Sequence, residues 1–405
     1  MSANNAVSAT ALAELRAGWG RILSAAFGVG LGIAGLLTYN SGLFVAALGQ
    51  DIGLTRTAYG AVFFGANVAM CVAMPLVARL VEARGPRLAA MLGAVALSIG
   101  FVLLSQAGSV PGYAAAMVFT GLFAAASAPV AHTRAIASDF HRARGLALGL
   151  TQLGIGLAAA MVPPLVTWII AGHGWRTGFV LLAGLAALGL LPALGLPARV
   201  AGLPSSGQHG AASTFREVRG GMLFQVQIAA FTTMALAFAG MLSHFVPMLL
   251  DSGMPIHAAG RLAGLIGVSV IVTRVLVGWL SDRVEPAWLA VGSCLLCAAG
   301  CLTLALAGAQ MATVGAIALG AAMGAEADLI AILTVRNIPL IAYSRAYAAQ
   351  YAAFTVAAGL SPMWIGYLAD RSGTYRSAEF MSALLLLVPA ALFLWMALRK
   401  RSAVA

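Results

Sequence analysis

Twelve apolar stretches, each long enough to cross a hydrocarbon core of ~30 Å and almost free of charge, follow one another along this chain. They run roughly from 22 to 49, 58 to 80, 87 to 107, 112 to 138, 145 to 171 and 176 to 196, then from 222 to 250, 260 to 282, 287 to 308, 312 to 338, 346 to 368 and 379 to 398. Lipid offers the backbone no hydrogen-bond partner, so a spanning segment is a helix or a strand of a closed barrel. Runs of this length lack the alternation of a barrel strand and must be helices. The expected fold is an all-α membrane protein, six spans in each half. Only 9% of residues are charged and 61% are hydrophobic, whereas soluble domains carry about a quarter charged residues.

The formal charge of +11 does not form one basic patch, which argues against a nucleic-acid partner. The basic residues are parcelled into the loops. With both termini cytoplasmic, the inner side holds Arg16, Arg21, Arg79, Arg84, Arg87, Arg134, Arg142, Arg144, Arg216, Arg219, Arg283, Arg336, Arg345 and Arg399 among others, and the outer side holds only Arg56, Arg176, Arg261, Arg371 and Arg376. That imbalance is the positive-inside pattern of a bacterial-type inner-membrane protein. About twenty mixed residues precede the first apolar run and no small-residue cleavage site follows it, so the run is read as a retained helix.

The halves echo each other at an offset near 200 residues. Ala78-Arg79-Leu80 ahead of Glu82 answers to Gly278-Trp279-Leu280 ahead of Asp282, and Gly174-Trp175-Arg176 answers to Gly373-Thr374-Tyr375-Arg376. Duplicated spanning segments mark secondary transporters, whose binding site lies between the repeats. Expected domains are an N-terminal bundle (1–197), a Gly-, Ser- and Pro-rich linker (198–221) and a C-terminal bundle (222–405). Thr214-x-x-Glu217 has capping-box spacing, which predicts a short surface helix ahead of the seventh span. No Gly-x-x-x-x-Gly-Lys-Ser/Thr phosphate loop occurs, so ATP-driven pumping is not expected. Cys294-x-x-Cys297 lies within a span without further ligands and reads as two small hydrophobes. Neither cofactor nor metal nor covalent chemistry is expected, and the chain is read as a monomer.

Gly278-x-x-x-Asp282-Arg283 closes the eighth span, and Ala78, Glu82, Arg84, Gly85 and Arg87 fall in the matching places after the second. In these loops the chain resembles the major facilitator superfamily, which carries Gly-x-x-x-Asp-Arg-x-Gly-Arg there as a gating element. Pro362-Met363-Trp364-Ile365-Gly366-Tyr367-Leu368-Ala369-Asp370 through Tyr375 is similar to the Pro-x-x-x-Gly-x-x-x-Asp-x-x-Gly-x-Tyr stretch of monocarboxylate and oxalate/formate porters, and Gly324-Ala325-Glu326-Ala327-Asp328-Leu329 resembles bacterial relatives of that group. The resemblance implies two pseudo-symmetric six-helix bundles, alternating access, a small organic anion as substrate, and protons as partners.

Arg274 stands eight residues, about 12 Å, from Asp282 and so near mid-depth of the bilayer. A central charge costs on the order of 3 kcal/mol on insertion scales. Two readings stay open: a structural ion pair with an acid on another span, or a fork whose planar donors suit a carboxylate and which faces a wet cavity between the bundles. The resemblance implies the second, since monocarboxylate porters carry a substrate-engaging arginine in span eight. Their accompanying aspartate, one turn earlier, is replaced by Val270. Glu326 and Asp328 are the acids available for proton coupling. They lie about 200° apart around one helix, so only one of them meets Arg274. Further candidate substrate contacts are Tyr39, Asn40, Asn67, His244, Tyr347 and Tyr351, while His132 and Arg134 are read as serving topology or the inner gate. Rival readings are a drug or cation efflux carrier of the same fold, and a sensor that binds without flux.

Overall fold

The computed structural model describes residues 3–199 and 207–402, which fold into helices without a strand among them. In chain order these are α1 (Ala3–Gly30), α2 (Val45–Ile52), α3 (Arg56–Arg84), α4 (Pro86–Ser105), α5 (Val110–Phe123), α6 (Val130–Asp139), α7 (Arg144–Leu188), α8 (Leu190–Leu194), α9 (Gly207–Gly220), α10 (Met222–Asp251), α11 (Ile256–Ser281), α12 (Pro286–Ala307), α13 (Ala312–Asn337), α14 (Tyr343–Ser372) and α15 (Arg376–Ser402).

Nine continuous helical stretches among the described residues are long and apolar enough to cross a membrane. Two of them, Arg144–Leu194 with 51 residues and Pro286–Asn337 with 52, each hold two spans. Glycines in the left-handed region break them, Gly174 at φ 81° and Gly308 at φ 58°, a conformation that costs other residues a steric clash with Cβ. The remaining span is the first, which is not one regular helix: α1 gives way to a π-helical turn at Ala34–Thr38, a 3-10 turn at Ser41–Phe44 and then α2. With it the spans number twelve. Large apolar side chains such as Val72, Leu76, Met161 and Leu384 stay exposed along the helices, as lipid-facing residues do.

Span four is broken too, because Ala128 precedes Pro129 and takes an extended conformation at ψ 164° between α5 and α6. The two interruptions support each other: the backbone N–H of Ile33 donates to the Ser127 hydroxyl at 3.0 Å.

The chain divides into two compact units, Met1–Phe215 with Ile338–Ala352, and Arg216–Asn337 with Ala353–Ala405. Within the first, α3 packs on α5 and α4 on α7; within the second, α11 packs on α13 and α12 on α15. Spans two and four are thus matched by eight and ten, and three and six by nine and twelve, which is the duplication expressed as packing. Of the expected linker, residues 200–206 lie outside the described residues. The surface helix is present as α9, but it begins at Gly207, so Thr214 stands in its interior and does not cap it. A capping box read without knowing where the helix starts marks a spacing and not a boundary.

Candidate functional site

In the second unit the geometry around Arg274 is set by small residues two turns away. Gly320 and Gly324 of α13 press on the backbone of α11; a methyl group at Gly324 would lie 2.6 Å from the Val270 carbonyl oxygen. Close approach of this kind is what small residues spaced four apart allow. Both helices run the same way, and the register that sets Gly320 against Ile266 and Gly324 against Val270 continues one turn on to set Asp328 against Arg274, 54 residues earlier. The Arg274 Nη1 donates to Asp328 Oδ1 at 2.8 Å.

The pair is sealed. Arg274 is 2% exposed and Asp328 0%. The wet, open setting expected for Arg274 is therefore not what this state shows: a guanidinium at this depth, shut off from water, is stable only against a counter-charge. The ion pair falls on Asp328; Glu326, buried two residues earlier on the same helix, makes none among the described residues. Among the described residues, Arg274 Nε, Asp328 Oδ2 and Glu326 Oε2 find no hydrogen-bond partner. Buried polar groups left in this condition each carry a desolvation cost of ~1–3 kcal/mol, so the resting pair leaves donors and acceptors unused. One end of the cluster is closed by Arg336, whose Nη2 donates to the Ser281 carbonyl at 2.8 Å.

The loop residues hold the ends of these helices. In the second unit Gly278 accepts from the Ser281 hydroxyl, Asp282 follows the last residue of α11 as its C-cap, and Arg283 lies over the Trp279 ring at 4.1 Å while donating to the Trp279 carbonyl. In the first unit Arg84 stands in the last turn of α3, Gly85 turns the chain at φ 85°, and Pro86 starts α4. A side chain at Gly85 would collide with the Ala198 carbonyl. Arg87 Nε donates to the Leu196 carbonyl at 2.8 Å, which fixes the end of span six on the same turn. Glu82 takes both oxygens to Arg345 Nε, at 3.0 and 2.8 Å, and so ties the start of α14 to the end of α3 within this unit. Arg134 lies beside them, buried, with its guanidinium carbon 6.0 Å from the Tyr343 ring centre.

The other candidates fall into separate places. Asn40 is buried and donates to the Leu36 carbonyl at 2.9 Å, stitching the irregular stretch of span one, while its Oδ1 has no partner. Tyr39 stands at the end of the π-helical turn, and Asn67 donates back to the Phe63 carbonyl at 2.9 Å. Tyr347 stacks between Tyr343 and Tyr351, ring centres 5.7 and 5.9 Å away, as residues four apart on one helix face do. His244 belongs to the second unit, where Nε2 faces the Pro362 carbonyl and Nδ1 the Tyr375 hydroxyl, each at 3.1 Å. A carbonyl only accepts, so Nε2 carries a proton, and in the neutral ring Tyr375 donates to Nδ1. Sequence reasoning passed over Gln152 of α7, fully buried with both amide atoms unpartnered. Its signal was present as an amide in an otherwise apolar span.

The model of the Major Facilitator Superfamily matches residues 22–362. The chain belongs to that superfamily. It is 28% identical over 311 residues to "Monocarboxylate transporter 13" of Bos taurus, covering 75% of this chain and 72% of the relative. It is 27% identical over 284 residues to "Gallate transporter" of Pseudomonas putida, covering 60% of this chain and 62% of that protein. Among solved structures, the proton:xylose symporter XylE superposes with a TM-score of 0.76 at 16% identity, over 93% of this chain and 95% of that one, which establishes the fold alone. This major facilitator protein is an integral membrane transporter of small-molecule substrates.

Proposed function

We propose that this transporter carries a small organic anion, a monocarboxylate, together with a proton across a bacterial inner membrane by alternating access, with both termini cytoplasmic. The observation that carries the reading is the buried Arg274–Asp328 pair, held at mid-helix with bonding capacity left over on both partners. The names of the relatives agree with it, since both matched transporters are named for carboxylates.

The cycle is an exchange of partners. In the empty carrier Arg274 is neutralised by Asp328. As the helices part, a substrate carboxylate docks on the guanidinium, using the Nε edge that Asp328 leaves free, and displaces the aspartate. Asp328, now buried without a counter-charge, binds a proton. Anion and proton cross as a neutral load, and loss of the proton on the far side lets Asp328 reclaim Arg274 and expel the anion. Glu326, which makes no ion pair with Arg274 in the empty carrier, takes no part in the exchange. At the cytoplasmic ends, Glu82 and Arg345 hold the start of α14 until the inner path opens.

Reconstituted protein separates the roles. Arg274→Gln abolishes uptake of labelled benzoate or lactate. Asp328→Asn retains exchange of internal for external carboxylate but loses accumulation driven by a pH gradient, and Glu326→Gln retains both. Wild-type uptake by Arg274→Gln overturns the anion site. Full accumulation by Asp328→Asn moves the proton elsewhere, and resistance to cationic drugs without carboxylate flux replaces the reading with efflux.

A further inference from the structure

The second unit contains a cavity of about 600 Å³ at the end where α10, α12 and α14 finish, opposite the end closed by Arg336. It shares no residue with the Arg274 cluster. Its charged lining is Asp251, Asp370, Glu379 and Arg376, three carboxylates against one guanidinium. Glu379, in the first turn of α15, is 4% exposed; its carboxylate makes neither a hydrogen bond nor an ion pair among the described residues and feels the Arg376 guanidinium only at longer range. Only its backbone N–H is bound, to the Tyr375 carbonyl at 3.0 Å. An acid this deep in a protein normally has a partner, because an unpaired buried charge is costly.

We infer that this cavity is a second binding site, for a small organic cation that carries an ammonium or amidinium group on an apolar body. The cation's charged end sits against Glu379, with Asp370 and Asp251 adding attraction from the rim and Tyr375 offering a ring face. Leu304 and Leu306 supply an apolar wall for the body. A chelated metal ion fits less well, since no group of three His, Cys, Asp or Glu among the described residues is placed to hold one. The size lies within the ~300–1,000 Å³ usual for small-molecule sites. His244 is tied to this region through its bond with Tyr375, so occupancy of the cavity is felt on α10 and, through Pro362, on α14. The site does not rest on the carboxylate reading, because its residues are separate from Arg274 and Asp328.

The test uses purified full-length protein in nanodiscs, with benzylammonium and benzamidinium as probes and benzyl alcohol as the uncharged control. Both cations, at millimolar concentration, raise the melting temperature and give saturable binding by calorimetry; benzyl alcohol does neither. Glu379→Gln weakens binding by about 10-fold or more, the loss of one charge-assisted contact. Should Glu379→Gln fail to fold, Asp370→Asn at the exposed rim serves instead, with a drop of a few-fold. Absence of saturable cation binding by the wild-type protein overturns the site. So does equal binding by Glu379→Gln.

Discussion

Removing Arg274 and Asp328 one at a time and then together separates what the pair does for the fold from what it does for transport. The two side chains are 3% and 0% exposed and meet at 2.8 Å, so each single change leaves the other charge in a dry site. Breaking such a pair costs ~3–5 kcal/mol, whichever partner goes. Arg274→Gln and Asp328→Asn therefore both destabilise strongly. In the double variant two neutral amides face each other across the same gap; the desolvation of an unpaired charge is gone and the net loss falls to about 1 kcal/mol, that of an ordinary hydrogen bond. The cycle then shows a coupling of ~5 kcal/mol or more, well beyond what distant sites give. Equilibrium unfolding in mixed micelles at fixed lipid composition measures all four proteins. Single variants that each cost under ~1 kcal/mol, or losses that simply add, would refute the claim that the pair is desolvated. Transport by the same four proteins completes the argument: the double variant regains its stability but not its carboxylate uptake, since no guanidinium is left to receive the anion. A double variant that transports at the wild-type rate would sink the anion site while leaving the structural pair intact.

Three further outcomes are expected from other parts of the molecule. Gly324→Val drives a side chain into the Val270 carbonyl, forces α11 and α13 apart and loosens the Arg274–Asp328 bond, so its uptake falls with that of Asp328→Asn; unaltered uptake would show that the contact does not set the register. Glu82→Gln weakens the hold on the start of α14, and hydrogen exchange across 343–352 quickens, while the reversed pair Glu82→Arg with Arg345→Glu slows it again; exchange indifferent to either change would deny the tie. Glu14 accepts from the backbone N–H groups of His141, Arg142 and Ala143 at 2.8, 3.0 and 2.9 Å; partial burial pushes its carboxyl up, but these donors outweigh it and hold it below the usual range. That contribution is present above the ordinary carboxylate value and is lost as pH falls through the lowered one. Glu14→Ala costs about 1 kcal/mol, as a lost helix cap does, and speeds exchange of those three amides at neutral pH. Once the pH has fallen below that lowered value, the variant and the parent converge.

The twelve spans were legible because lipid permits so little: a charge-free run of the right length has one possible structure. What sequence reading smoothed over was the irregularity inside spans. Span one was written as a single run from 22 to 49, yet it passes through a π-helical and a 3-10 turn, with Asn40 spending its amide on the Leu36 carbonyl. Hydropathy does not register such a break, since a turn of different pitch contains the same apolar residues. His244 shows a second limit. A polar side chain in a span has the same appearance whether it awaits a ligand or is bonded on both nitrogens, and the partners here, Pro362 and Tyr375, lie more than a hundred residues away.

The choice between Glu326 and Asp328 was of another kind, because the information was in the chain and lay in the wrong place to be noticed. The angular separation of the two acids shows that only one can meet Arg274 but not which. Gly320, Gly324 and Asp328 recur every four residues and so form one stripe of α13, and Ile266, Val270 and Arg274 form the matching stripe of α11. Two glycines in that stripe leave only one face on which the helices come within contact distance. Whatever residue follows four positions later is delivered to the partner helix, and in this chain it is the aspartate. Glu326 is half a turn off the stripe and makes no ion pair with Arg274 among the described residues. The two glycines thus bring Asp328 to the arginine from the neighbouring span, one turn beyond Val270.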